Sequence, residues 1–216
     1  MMKVLEIFSG TGSVKKICDV YGWECVSIDI SDKLGHVDYK VDILEFDYKS
    51  EFEIGQFDLI WASPPCASFS SMLYIHKHID IEKRMKEIGL PLLYKTREII
   101  DYLKPKYYCI ENPKTGRMKN FINDLPYHDV CYCRYGYSYK KPTRIWTNIT
   151  DFEPLYCNHK GKHENAISHT RKTPSNGFPA NTNKMKFTLA QKYSIPPQLI
   201  IGIFESIKKN ELLMLS

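Results

Sequence analysis

Ser63-Pro64-Pro65-Cys66 sets a thiol directly behind two prolines, at the end of the short apolar run Phe57-Asp58-Leu59-Ile60-Trp61-Ala62. A run of that length and composition reads as a buried strand of a parallel sheet. Neither proline can donate to a ladder, so pairing stops there and Cys66 stands just past a strand end, where open α/β sheets gather their chemistry. A thiol so placed is either an attacking nucleophile or a small apolar packing residue in a turn. Glu111-Asn112-Pro113 repeats the arrangement after Tyr107-Tyr108-Cys109-Ile110, with an acid at a strand end and a proline behind it. Glu111 could serve as a proton donor or as a cap for whatever follows.

A third feature lies near the amino terminus. Ser9-Gly10-Thr11-Gly12-Ser13 separates a strand-like segment, Lys3 to Phe8, from an apolar-periodic helix, Val14 to Tyr21, with Ser13 in the capping position. Glycines let backbone approach a ligand, and the helix amino terminus presents partial positive charge to it. Asp29 ends the next predicted strand, Glu24 to Ile30, and follows Gly10 by 19 residues. That is close to the ~20-residue offset at which an acid meets a ribose in dinucleotide-type sites. A third short strand, Asp38 to Val41, ends in Asp42. No Gly-x-x-x-x-Gly-Lys-[Ser/Thr] occurs, so a nucleoside triphosphate is not indicated. The plain alternative is a tight turn with no ligand.

Further elements must hold these residues. The segment Ser71 to His78 has no period and reads as a loop or lid beside Cys66. Ile81 to Leu103 reads as a helix broken or kinked around Gly89-Leu90-Pro91, with Met85, Ile88, Leu92, Ile99, Ile100 and Leu103 as its apolar face. A helix start is expected over Lys114 to Phe121, a strand over Tyr127 to Arg134 and a strand-like finish to Lys140–Asn148. Helices over Thr188 to Tyr193 and Pro196 to Lys209 close the chain, the last with the stripe Leu199, Ile200, Ile203, Phe204 and Ile207.

A chain of 216 residues with 43% hydrophobic and 25% charged residues is enough for one packed domain with a small appendage. The amino-terminal run Met1 to Ile7 carries Glu6 and reads as a strand, not a leader. No apolar run approaches the ~20 residues of a membrane span, so no membrane partner is expected. Seven scattered cysteines suggest free thiols and an intracellular, reducing compartment. The net charge is +5, yet residues 140 to 186 alone hold nine Lys or Arg against three acids. Such a segment is either a solvated loop or a contact for a polyanion.

Taken in order, these motifs resemble the carbon-5 cytosine DNA methyltransferases over nearly the whole chain. Leu5 to Ser13 is similar to the family's first S-adenosylmethionine motif, Ser63-Pro64-Pro65-Cys66 with Phe69-Ser70 to its nucleophile motif, and Glu111-Asn112-Pro113 to its Glu-Asn-Val. Thr143-Arg144-Ile145-Trp146 resembles its arginine motif. The resemblance implies an α/β, Rossmann-like S-adenosylmethionine-dependent methyltransferase fold. Its sheet would be mixed and mostly parallel with helices on both faces, and a small basic loop-rich subdomain would be attached. It assigns residues 1–139 and 188–216 to the catalytic domain, and 140–187 to a reduced basic segment in place of a target-recognition domain. Cys66, Glu111 and Arg144 are the implied catalytic residues. The implied S-adenosylmethionine contacts are Phe8, Ser9, Gly10, Thr11, Gly12, Asp29, Ile30, Asp42, Ile43, Ser63 and Pro65. DNA is the implied partner, with a flipped-out cytosine as target, and a specificity-supplying protein partner is compatible with the short recognition segment. In this scheme Cys66 adds to carbon 6 of cytosine with its thiol pKa lowered by Arg144, and Glu111 protonates the ring nitrogen. An RNA cytosine methyltransferase, or a non-catalytic DNA-binding protein on the same fold, are the competing functions.

The chain departs from the family pattern in several places. Pro142 takes the place of the first arginine of the arginine motif, and Pro113 that of the common Val. Lys192-Tyr193-Ser194-Ile195-Pro196 only echoes the usual Gly-Asn-Ser-Val-Pro. These features resemble compact methylases of phages and mobile elements. The basic segment also holds Cys157-x-His159-x-x-x-His163, with Cys131, Cys133, His128 and His169 elsewhere. That is material for a structural zinc ion, although there is no Cys-x-x-Cys pair and the sequence names no fourth ligand.

Overall fold

The computed structural model describes residues 1–70, 80–157 and 189–214. Its centre is a seven-stranded sheet. The strands are β1 (Lys3–Ile7), β2 (Glu24–Asp29), β3 (Tyr39–Lys40), β4 (Leu59–Ala62), β5 (Tyr107–Pro113), β6 (Tyr127–Cys131) and β7 (Pro142–Thr147). The order is β3-β2-β1-β4-β5-β7-β6. The first five in that order run parallel, while β7 lies antiparallel between β5 and β6. The chain reverses from β1 on one side to β4 on the other, so the carboxyl ends of those two strands open a crevice, as in doubly wound sheets.

Helices cover both faces, which is why β1 and β4 are almost wholly buried. On one face α1 (Ser13–Tyr21) and α6 (Pro197–Met214) pack Val14, Ile17, Leu199, Ile203, Phe204 and Ile207 against Val4, Leu59, Trp61 and Ile145. The other face is closed by α4 (Leu90–Leu103), with Ile99 and Leu103 against Leu5, Ile7 and Ile60. The short α2 (Tyr48–Glu51) buries Tyr48 in the same core, and α5 (Leu189–Tyr193) precedes α6. The α6 stripe expected from the sequence is buried throughout. No described helix is long and apolar enough to cross a membrane.

The structure departs from the sequence reading at two helices and one strand. The helix expected over 81–103 with a break or kink near Gly89 is continuous there. It runs from α3 (Ile81–Arg84) through a π turn (Met85–Gly89) into α4, with Pro91 in the first turn, where its missing N–H costs nothing. Ile88 projects outward, 44% exposed, because the π turn shifts the apolar face by a residue. The helix expected over 114–121 is only a 3₁₀ turn, Met118–Asn120, and β6 ends at Cys131 in a further 3₁₀ turn, Tyr132–Tyr135. The segment 71–78 and residues 158–188, including the start of the helix expected at Thr188, lie outside the described residues.

Candidate active site

A cavity of about 540 Å³ opens at the carboxyl ends of β1, β4 and β5. It brings together Phe8, Ser9, Gly10, Thr11, Asp29, Ser63, Pro65, Cys66 and Glu111, all expected from the sequence. Its size is that of a site for a cofactor-sized ligand.

The turn after β1 is held by unusual backbone. Gly10 and Gly12 have φ of 52° and 63°, and so does the bulky Phe8, at 60°. For Phe8 this left-handed conformation costs about 1–2 kcal/mol. Gly12, not Ser13, caps α1, and no side chain caps it locally. The free N–H groups of Val14 and Lys15 donate instead to the two carboxylate oxygens of Glu6 on β1, each at 3.1 Å. Burial pushes Glu6 up to about 7, against the pull of those two backbone bonds and of Lys15. Ser13 is released for another task. Its Oγ accepts from Ile195 N at 3.0 Å and so ties the carboxyl-terminal helices to the turn.

Asp29 lies beside this turn. Its Oδ2 accepts from Gly10 N at 2.9 Å and its Oδ1 from Ser31 N at 2.8 Å, leaving further lone pairs toward the cavity. Ser9 Oγ is buried on the cavity wall and has no hydrogen-bond partner. A buried hydroxyl without a partner is costly unless a ligand supplies one. The glycine turn, the Asp29 carboxylate and the Ser9 hydroxyl therefore suit a cofactor carrying a ribose and a polar chain, as S-adenosylmethionine does.

Four residues expected at the cofactor do not line the cavity. Gly12 serves the helix cap, with the His36 ring packed against it. Ile30 turns to solvent at 67% exposure, and Ile43 is buried among Tyr48, Phe52 and Phe57. Asp42 folds its carboxylate back onto Leu44 N at 3.0 Å. Asp42 and Ile43 were expected there from a strand end and the family resemblance, and here β3 is only two residues long, so the chain bends away before it reaches the crevice.

Beyond β4, Cys66 begins a 3₁₀ turn, Cys66–Phe69. The turn is fixed from three sides. Ser63 N donates to Ile7 O at 3.2 Å, Trp61 Nε1 to Ser63 Oγ at 3.2 Å, and Asn112 Nδ2 to Pro64 O at 2.8 Å. Gly89 lets the π turn approach, since a β-carbon there would stand 3.0 Å from Ser68 and the Phe69 ring. Glu111 is 6% exposed and accepts at 3.0 Å from the hydroxyl of Tyr132, itself fully buried. Asn112, Tyr132 and Lys141 were not expected as site residues, and Lys141 lines the cavity with Cys66 and Glu111.

Arg144 does not reach the cavity, contrary to the sequence expectation. Its guanidinium makes a two-pronged ion pair with Asp129, 2.8 and 3.0 Å, and lies 3.5 Å over the Tyr127 ring. That ion pair and ring contact hold it away from the cavity, on the side of the strand opposite the Ile145–Glu111 pair. Nor is the Cys66 thiol lowered. Burial pushes it up, Glu111's charge adds to that, and Lys141 opposes both.

The three cysteines considered for zinc come together in part. Cys133 Sγ donates to Cys131 Sγ at 3.3 Å, and burial and the neighbouring Cys131 and Cys157 thiols push Cys133 up to about 12. His128 instead bonds Ile149 O at 3.0 Å. Among the described residues no group of three has the arrangement to hold a metal ion. His159, His163 and His169 lie outside the described residues. None of the seven cysteines is in a disulfide.

A mostly parallel sheet with one antiparallel strand near its edge, covered on both faces and opening on a glycine turn, a strand-end acid and a strand-end thiol, defines a Rossmann-like methyltransferase. The model of the C-5 cytosine-specific DNA methylase family matches residues 2–125, and the chain belongs to this family of DNA (cytosine-5)-methyltransferases. It is 38% identical over 220 residues to the "Probable DNA (cytosine-5)-methyltransferase" of Frog virus 3 (isolate Goorha), covering 94% of this chain and 99% of the other. Among solved structures, the Entamoeba histolytica methyltransferase EhMeth is similar at 20% identity and a TM-score of 0.49, over 76% of this chain and 57% of that one. A Spodoptera frugiperda DNMT2 variant gives 19% and 0.49, over 76% and 56%. The chain thus spans little more than half the length of these two solved chains.

Proposed function

We propose that this chain methylates carbon 5 of cytosine in DNA, with S-adenosylmethionine bound at the Phe8–Thr11 turn and Cys66 as covalent nucleophile. The observation that carries the proposal is the shared cavity, in which Cys66 and Glu111 face the turn and Asp29. Asp29 would accept from the cofactor's ribose, and Ser9 would bond its polar chain. When bound, S-adenosylmethionine supplies an electrophilic methyl group.

The chain's own residues supply the rest. Carbon 5 of cytosine is a poor nucleophile, so the Cys66 thiolate adds to carbon 6 and the electron pair of the ring double bond moves toward carbon 5. Glu111 delivers a proton to the ring nitrogen, which neutralises the charge that the addition creates. Tyr132 keeps the carboxyl oriented through its 3.0 Å bond. After carbon 5 has gained its methyl group, a base takes its proton, the freed electron pair re-forms the ring double bond, Cys66 departs as thiolate and the ring nitrogen returns its proton to Glu111. The proline turn holds the thiol at the cavity wall and the base must leave the duplex to meet it, because ring atoms in a stacked pair are out of reach.

The basic excess of residues 140–186 supports phosphate contact more than base reading. The first part of the expected recognition segment is β7, inside the sheet, and residues 158–187 lie outside the described residues. A partner that supplies sequence specificity fits so small a recognition segment. Seven cysteines without a disulfide suit a reducing intracellular setting.

The test is incubation with tritiated S-adenosylmethionine and duplex DNA carrying 5-fluorocytosine, whose carbon 5 has no proton to lose. Wild type should form a denaturation-resistant adduct and Cys66→Ser none. Absence of adduct with wild type on DNA would sink the proposal, and an adduct confined to RNA would reassign the substrate.

A further inference from the structure

We propose that Lys141, and not the arginine of the Thr143-Arg144-Ile145-Trp146 motif, supplies the positive charge that faces Cys66. The inference deepens the methyltransferase reading and rests on it for its purpose, although its own test reads the thiol directly. A thiolate in a largely enclosed site needs a cation near it, since an unpaired buried charge is expensive. Arg144 is committed elsewhere, to Asp129 and the Tyr127 ring on the face of β7 opposite Glu111.

Lys141 has the right parity. It stands one residue before β7, and Tyr132 N donates to its carbonyl at 3.2 Å, extending the antiparallel pairing with the chain after β6. Alternation then puts Lys141 on the side of Thr143 and Ile145, the side that Glu111 shares. Its ammonium lies 4.4 Å over the Tyr132 ring, the same tyrosine whose hydroxyl holds Glu111. It also donates to Lys192 O at 3.4 Å, which fixes it to α5 at the cavity mouth. A single side chain therefore lines the cavity with both Cys66 and Glu111 and is steered there by an aromatic face and a carbonyl. The cation also answers the balance of effects at the thiol, where burial and Glu111 push upward and Lys141 pulls down. Pro142 occupies the position of the motif's first arginine and locks the backbone beside Lys141, so that the lysine enters the cavity from one position earlier.

The experiment measures the rate of iodoacetamide alkylation against pH, read by mass spectrometry on the peptide that contains Cys66, in cofactor-free protein. Lys141→Met should raise the midpoint by about one pH unit, and slow alkylation roughly tenfold below it. Lys141→Arg should return the midpoint to near wild type. Arg144→Gln should leave it in place. Lys141→Gln serves if the methionine variant does not fold, with circular dichroism as the check. An unmoved midpoint in both charge-removing lysine variants overturns the assignment, as does an equal or larger shift in Arg144→Gln. If wild type forms no adduct with fluorocytosine DNA while the Lys141 shift is present, the methyltransferase reading fails and the electrostatic assignment stands.

Discussion

The two halves of the sheet meet at Cys66 but hold their side chains by different means. In the parallel half, from β3 to β4, the site is made largely of backbone. Positive φ values shape the turn, Gly10 N binds Asp29, and the first free N–H groups of α1 are taken up by Glu6. In the half formed by β5, β7 and β6 the site is made of side chains that brace one another. Tyr132 holds Glu111, Lys141 covers Tyr132, and Asn112 holds Pro64. The first kind of construction is local in sequence and forgiving of surface change. The second depends on the register between antiparallel strands, because a one-residue slip would send each brace to the wrong face.

The sharpest division should come from Glu111→Gln. It removes the proton donor and should lower turnover by about 10²- to 10⁴-fold, while the affinity for S-adenosylhomocysteine, read by calorimetry, stays near wild type. A matching loss of cofactor affinity would mean the two halves are not separate.

Glu6 tests the parallel half through pH. Its ordinary value is 4.5 and burial pushes it to about 7 in the fold. Below pH 4.5 both folded and unfolded chains carry the proton and the group is neutral to stability. Between 4.5 and 7 the unfolded chain ionises first, so stability falls as pH rises, reaching a loss of about 3 kcal/mol above 7. Urea melts at pH 5 and pH 8 should show a smaller difference for Glu6→Gln than for wild type; an unchanged difference would remove Glu6 from the account.

Asp29→Ala should weaken S-adenosylhomocysteine binding by roughly ten- to a hundredfold, the worth of a charged hydrogen bond, without moving the Cys66 alkylation midpoint. Smallest is Asn112→Ala, which leaves the Pro64 carbonyl unpaired at about 1–2 kcal/mol. In a thermal melt that is a drop of a few degrees for a chain of this size. A loss of cofactor affinity of the same size would show the turn at Cys66 to be shared by both halves.

The same division explains what the sequence revealed. The unit from Lys3 to Asp29 was legible because strand, glycine turn, helix and acid are fixed by spacing along the chain. Cys66 and Glu111 were legible for the same reason, each at a strand end marked by proline. Arg144, expected at the catalytic site, lies instead on Asp129 and the Tyr127 ring, partners that come from the neighbouring antiparallel strand and that a sequence motif does not reveal. Lys141 and Tyr132 were missed for the same reason: their roles exist only across the antiparallel pair. Asp42 and Ile43 were expected at the end of a short strand, Asp38 to Val41, whereas β3 is shorter still, Tyr39–Lys40.

Phe8 carries a last consequence, in evolutionary terms. At φ 60° it occupies a conformation that glycine adopts freely, so replacement by glycine is the readiest route to relieve backbone strain. Yet Phe8 is part of the cavity wall. A lineage drifting toward greater robustness would find that gain at the one codon where it also erodes a ligand contact. Retention of a bulky residue at this position in related chains would therefore be a record of selection for occupancy of the site, legible without an assay.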